Sequence, residues 1–197
     1  MSATNKTRII AGSAMLAAFA TLLMYFDFSV PFMPSFIKMD ISDLPALIGS
    51  FAYGPVAGVA ISGMKNILII ILKGTSTGCV GELSNFLLAS IFTATAGFIY
   101  KFNKTKKGAI IGVLAGACAM ACGGYFTNSL LVYPVYYNFM PKEAIIAAYQ
   151  AINPNVTTIG QCLLMFNVPF TFIKGMLCSA VCMVLYKPLS PILKGKK

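Results

Sequence analysis

Charge divides this chain into long uncharged runs. Ile9 to Phe26 carries no charged residue, nor does Leu44 to Met64 or Leu83 to Tyr100, and Gly108 to Pro141 is an uncharged run of 34 residues followed by another from Ala144 to Ile173. A helix crossing a bilayer needs about 20 predominantly apolar residues. The runs therefore hold five or six membrane helices once they are broken at their Gly and Pro positions. Gly54-Pro55 splits the second run, because proline has no N–H to give a helix, into a short helix over 43–53 and a longer one over 55–72. Pro134, Pro141 and Pro154 interrupt the later runs, leaving 142–152 as a short amphipathic surface helix and 164–186 as the last membrane helix. The expected fold is an all-α membrane protein of one domain, residues 1–197, with six transmembrane helices.

Composition agrees. Of 197 residues, 58% are hydrophobic and 10% charged, against about half apolar and a quarter charged in soluble domains. Histidine is absent, which removes the commonest general base and the commonest metal ligand together. A soluble enzyme, a disordered tail and a secreted disulfide scaffold are excluded. The formal charge of +10 needs no nucleic acid to explain it. Lys6 and Arg8, the group Lys101, Lys104, Lys106 and Lys107, and the group Lys187, Lys194, Lys196 and Lys197 all fall on one side if the N-terminus is cytoplasmic, as the positive-inside bias requires. Both termini are then inside. Lys38, Lys73, Lys142 and all five acids, Asp27, Asp40, Asp43, Glu82 and Glu143, are assigned to the outside. The first span has a basic flank like a signal peptide, but its apolar stretch is longer than an h-region and further spans follow; it is expected to be retained.

The six cysteines include two pairs at i, i+4 spacing, Cys118/Cys122 and Cys178/Cys182. With no histidine or carboxylate beside them they are expected to pack as small apolar residues, and no metal site is assigned. Gly108, Gly112 and Gly116 form a small-residue stripe suited to close helix contact. Ala14 and Ala18, with Ala11 one turn earlier, form a flat face on the first helix that suits either internal packing or docking of another protein.

Polar residues at membrane depth carry more information. Lys174 lies about ten residues into the last helix, hence about 15 Å deep, and a central lysine is expensive unless it faces a partner or a wet cavity. Asn167 and Thr171 share its helical face. Asn128 sits near the outer end of the preceding long helix, Glu82 and Asn85 open the helix over 83–100, and Lys65-Asn66 is placed to approach them. Together these groups outline a ligand pocket in the outer half of the protein. The segment from Asp27 to Ser42 contains Pro31, Pro34, Phe28, Phe32, Phe36 and then Lys38-Met39-Asp40. It is too apolar to lie idle in water and too broken to span, so a structured outer loop between the first two helices, folded over the pocket as a lid, is expected; a plain interfacial segment is the alternative.

The stretch Phe36–Gly58, the block from Lys65-Asn66 through Lys73-Gly-Thr-Ser-Thr-Gly to Val80-Gly-Glu-Leu-Ser-Asn-Phe, and Val168-Pro-Phe-Thr-Phe-Ile-Lys-Gly near the C-terminus together resemble the riboflavin-specific substrate-binding subunits of energy-coupling factor (ECF) transporters. The resemblance covers nearly the whole chain. It implies a six-helix subunit of the cell membrane that takes up riboflavin from outside and works with a transmembrane coupling subunit and two ATPase subunits. It also implies that Asn128, in an Asn…Pro-x-Tyr pattern, and Lys174 match family positions. Thr171 stands where the family usually has asparagine, with Asn167 one turn earlier as a substitute. It favours docking of the coupling subunit for Ala11, Ala14 and Ala18.

The binding set expected from these readings is Met39, Asp40, Glu82, Asn85, Asn128, Asn167, Thr171 and Lys174. Riboflavin is the transported ligand; no cofactor, no metal and no enzymatic activity are expected, and the chain has no Walker motif. A related subunit for thiamine or pantothenate, or a stand-alone carrier, is the alternative.

Overall fold

The computed structural model describes residues 3–34, 37–75, 78–138 and 140–194; Phe36 of the expected lid and Lys196 and Lys197 of the basic tail lie outside them. The elements are α1 (Ala3–Tyr25), a hairpin of β1 (Phe28–Ser29) and β2 (Lys38–Met39), then α2 (Asp43–Tyr53), α3 (Pro55–Lys73), α4 (Val80–Phe102), α5 (Lys106–Thr127), α6 (Tyr133–Tyr136), α7 (Lys142–Gln150), α8 (Ile159–Cys162) and α9 (Val168–Lys194). Two π-helical segments, Asn128–Val132 and Leu163–Asn167, join α5 to α6 and α8 to α9.

Among the described residues, five helical stretches are long and apolar enough to cross a membrane: Asn5–Tyr25, Pro55–Lys73, Val80–Phe102, Lys106–Tyr136 and Ile159–Tyr186. The sequence led to six. The difference is α2, whose 11 residues reach only about 16 Å at 1.5 Å per residue, short of the roughly 30 Å hydrocarbon core. Gly54, at φ 107°, turns the chain, and Pro55 starts α3 at a position where its missing N–H has no helical partner to lose. Every residue from Asp43 to Phe51 is buried. The short helix is the centre of the bundle, enclosed by longer helices that cover its carbonyls and amides.

Around α2 lies the main core, with Leu44, Leu47 and Phe51 packed among Phe92 of α4, Val113 and Ala117 of α5, and Cys178 and Cys182 of α9. Helices α4 and α5 approach closely because of the glycine stripe: a Cβ at Gly112 would lie 2.8 Å from the Ala96 carbonyl oxygen, and one at Gly116 would lie 2.9 Å from that of Phe92. The alanines of α1 divide by face. Ala17 and Ala20 pack inward against Ala46 and Ile61, whereas Ala11, Ala14 and Ala18 are exposed.

A second core joins Val132 and Tyr133 to Ile145, Tyr149, Val156, Ile159 and Leu163. Helix α7, expected to lie on the surface, buries both Ile145 and Tyr149. Pro134 and Pro169 explain the π segments on either side of it. Each proline stands two residues after the end of one, where a regular helix would lose a hydrogen bond and meet a clash with the carbonyl four residues back. The extra residue of the π turn absorbs both. Pro134, read as a break, is therefore a point the helix passes through, and the Lys106–Tyr136 span continues across it.

Candidate ligand-binding site

Two adjoining cavities open between the hairpin and the ends of α3, α4, α6 and α9. The larger, about 550 Å³, is lined by Met24, Asp27, Lys38, Asp40, Lys73, Glu82, Asn85 and Tyr136. The smaller, about 200 Å³, reaches deeper among Asn128, Tyr133, Asn167, Thr171 and Lys174. Lys38, Asp40, Gly81, Asn85 and Tyr136 line both, so they form one cleft with a wide outer and a narrow inner part. Such a shape and size fit a drug-sized ligand held mostly by apolar walls with a few polar groups.

The hairpin segment contributes Asp27, Lys38 and Asp40 to the wider part. Phe28 pairs with Met39 and Ser29 with Lys38. Asp27 is shared by two cations, with Lys73 Nζ at 3.0 Å and Lys38 Nζ at 3.4 Å from the same carboxylate oxygen. Lys73 also stands 5.5 Å over the Tyr25 ring. Glu82, at the start of α4, accepts a hydrogen bond from the Thr75 hydroxyl at 3.0 Å. Asn85 points its amide toward Met24 Sδ at 3.8 Å. Met39, expected in the binding set, is buried in the hairpin and lines neither part of the cleft: alternation along a strand turns it to the opposite side from its neighbours Lys38 and Asp40.

The inner part is built by the two π segments. Asn128 begins one of them and Asn167 ends the other. One amide hydrogen of Asn128 bonds the Gly124 carbonyl at 2.8 Å, leaving the side-chain oxygen and the second amide hydrogen. Thr171 is buried beside Gly124 and lines the inner part. Asn167 is more committed. Its oxygen accepts from the Tyr149 hydroxyl at 2.7 Å, the Tyr149 and Tyr133 hydroxyls lie 2.6 Å apart, and the Asn167 amide reaches Tyr133 at 3.5 Å. It fixes the wall more than it extends into the space.

Lys174 lines the inner part of the cleft and is also paired. It ion-pairs with Asp40 Oδ2 at 3.0 Å and faces Asp43 Oδ2 at 3.5 Å. Lys65, fully buried, pairs with Asp43 Oδ1 at 2.6 Å and does not approach Glu82 or Asn85. Two of the acids assigned to the outside are thus sealed in the protein, Asp40 6% and Asp43 1% exposed. An unpaired lysine or aspartate at this depth would be prohibitive, so each brings a counter-charge with it. Burial alone would raise the Asp40 carboxyl, but Lys174, Lys65 and two hydrogen bonds from Ser42 overcome it and hold the group well below the usual carboxylate range.

A sequence model described as "ECF transporter, substrate-specific component" matches residues 8–186. The chain is 29% identical to the riboflavin transporter FmnP of Bacillus subtilis (strain 168) over 185 residues, which is 93% of each chain. It is 32% identical to the riboflavin transporter RibU of Staphylococcus aureus (strain TCH60) over 181 residues, 92% of this chain and 89% of that one. A solved structure described as the S component of a bacterial ECF transporter superposes with a TM-score of 0.76 at 28% identity, covering 96% of this chain and 99% of its own.

Proposed function

Since this chain belongs to the family of ECF transporter substrate-specific components, we propose that it binds riboflavin at the membrane and mediates its uptake as the substrate-specific subunit of such a transporter. The observation that carries the reading is the cleft: its polar groups stand at the depth where α4, α6 and α9 present amides and hydroxyls within otherwise apolar walls. An isoalloxazine ring is flat and apolar with an acceptor–donor edge, which an asparagine amide matches in both senses. Asn128 keeps hydrogen-bonding capacity in the inner part, with the Thr171 hydroxyl on the same lining, and the ribityl hydroxyls have Asp40, Lys174, Glu82 and Asn85 within the same cleft.

In this proposal the chain is one integral-membrane unit of the cell membrane, a six-helix bundle in which α2 is the short member, with the 27–42 segment as the outer lid. Both termini and the Lys101–Lys107 region are cytoplasmic. A transmembrane coupling subunit docks on the exposed alanine face of α1 (Ala11, Ala14 and Ala18), and two ATPase subunits supply the energy; the chain itself is not an enzyme and takes riboflavin as cargo, with no cofactor.

Asn128→Ala removes the acceptor and donor from the inner cleft and should weaken riboflavin binding by about 1–3 kcal/mol, a factor of about 5 to 150. Quenching of flavin fluorescence by the purified variant measures it. Unchanged affinity would remove Asn128 from the site. Orientation is tested separately: Lys104→Cys should react with an impermeant thiol reagent only after the membrane is opened, and labelling from outside intact cells would invert the topology and the outward cleft with it.

A further inference from the structure

Four charged side chains meet at the wall of the cleft, and only two of them face it. Asp40 and Lys174 line the cavity; Asp43 and Lys65 do not, and Lys65 is fully enclosed at 0% exposure. Lys65 Nζ donates to Asp43 Oδ1 at 2.6 Å and to the Ser42 hydroxyl at 2.8 Å. That hydroxyl donates onward to Asp40 Oδ1, and the Ser42 backbone N–H reaches the same oxygen at 2.9 Å. The other oxygen of Asp43 has no hydrogen-bond partner among the described residues and lies 3.5 Å from Lys174 Nζ. One enclosed cation is thereby tied to both carboxylates, to Asp43 directly and to Asp40 through a hydroxyl. Neutralising Asp43 needs only the first of these links. The second, running from α3 through Ser42 to a residue that faces the ligand space, is unexplained by charge balance.

We infer that Lys65 is a positioning residue of the binding site, holding Asp40 through Ser42 and Lys174 through Asp43 so that the two cleft-facing groups stand as a fixed acceptor and donor for ligand hydroxyls. The inference rests on the riboflavin-binding proposal above. It separates the four charges into a presenting pair on the hairpin and α9 and a supporting pair on α2 and α3. The supporting pair acts on the ligand only through the other two.

The arrangement has a pH signature. The charged and titratable groups facing Asp40 are Lys174 and the Cys178 thiol from α9, Lys65 from α3, Asp43 from α2 and Lys38 from the hairpin before it, with Asp27 and Glu82 on the same cavity. Asp40 stays ionised because Lys174, Lys65 and Ser42 together outweigh its burial. Removing Lys65 or the Ser42 hydroxyl raises the carboxyl, so Asp40 takes up its proton at a higher pH and the acceptor is lost earlier on acidification.

The experiment uses the full-length chain in detergent, with riboflavin as the probe, titrated between pH 4 and 7. The variant Asp43→Asn/Lys65→Met keeps the cluster neutral and near its original volume. It is expected to fold and to bind riboflavin about tenfold more weakly at pH 7, with its loss on acidification beginning at a higher pH than the parent's. Ser42→Ala leaves every charge in place and should show a smaller loss with the same upward displacement of the acid limb. Parental affinity and pH profile in folded Ser42→Ala, or full parental binding in the neutral double variant, would overturn the inference and leave Lys65 a counter-ion alone. Failure of the parent to bind riboflavin would remove the functional proposal and this inference together, a result distinct from a binding parent with unmoved variants.

Discussion

Lys174→Met is expected to destabilise the folded chain by about 3–5 kcal/mol, because breaking a buried ion pair from one side strands the opposite charge. From sequence alone, this substitution removes an expensive lysine from a membrane helix and is expected to weaken ligand binding while leaving the fold intact. The structure reverses the expectation. Lys174 stands 3.0 Å from Asp40 and 3.5 Å from Asp43, and both carboxylates are buried. Lys65 alone then faces two acids. Unfolding of the purified protein in mixed micelles, titrated with a denaturing detergent, measures the loss.

Two controls fix the cause. Adding Asp40→Asn to Lys174→Met restores one cation to one anion and should recover most of the stability. Acidification should also narrow the gap between variant and parent, since a proton on the stranded carboxylate does what the lysine did. In the parent the sign is opposite: a carboxyl held below its ordinary value stabilises the fold above about pH 4 and loses that contribution as the pH falls toward its folded value. A Lys174→Met variant as stable as the parent would mean that the cluster is not a buried neutral unit.

The second large effect is on assembly. Ala14→Trp or Ala18→Trp should abolish co-purification with the coupling subunit and ATP-driven uptake, while riboflavin binding by the isolated chain stays at the parental level. Both positions are exposed on α1, beside the Ala17 and Ala20 contacts with Ala46 and Ile61 and not part of them. In lipid no hydrophobic force presses helices together, so a docking face depends on close backbone approach, and an indole there prevents it. Among the described residues, the cleft is lined by other elements apart from Met24, near the C-terminal end of α1. Normal assembly and uptake in both variants would make this face ordinary lipid-exposed surface. Riboflavin uptake with no coupling subunit present would make the chain a stand-alone carrier.

The membrane helices were legible because charge and proline mark many of their ends: the run read as ending at Phe26 stops as α1 at Tyr25, and the helix read over 55–72 is α3 (Pro55–Lys73), although α1 begins at Ala3, before the uncharged run does. The status of α2 was not legible. Whether 11 residues between Ser42 and Gly54 cross the bilayer or sit inside the bundle depends on what surrounds them, and apolar composition is the same in both cases. The inner cleft was partly legible. Asn128, Thr171 and Lys174 were recognisable as polar residues at depth, and the structure gathers them on one cavity.

Their partners were hidden for a specific reason. Asp40 and Asp43 sit next to a loop, where acids ordinarily face water, and nothing in their spacing shows that two lysines from α3 and α9, 22 and 134 residues away along the chain, converge on them. The arithmetic was available, since Lys65 and Lys174 are the two lysines stranded within spans and each required an acid. Tyr133 and Tyr149 were missed because a buried tyrosine is indistinguishable in sequence from an aromatic at the membrane interface. The π segments had a signal in Pro134 and Pro169, which mark where a continuous helix must widen if it does not stop.

The central claim is that this cleft selects riboflavin. Purified full-length chain in detergent, stripped of bound flavin and titrated in parallel with riboflavin, thiamine and pantothenate, tests it without any partner subunit. Riboflavin is expected to bind saturably and one-to-one, with flavin fluorescence quenched in the cleft and no competition from an excess of the other two vitamins. Absence of riboflavin binding by folded protein, or tighter binding of thiamine or pantothenate, would contradict it.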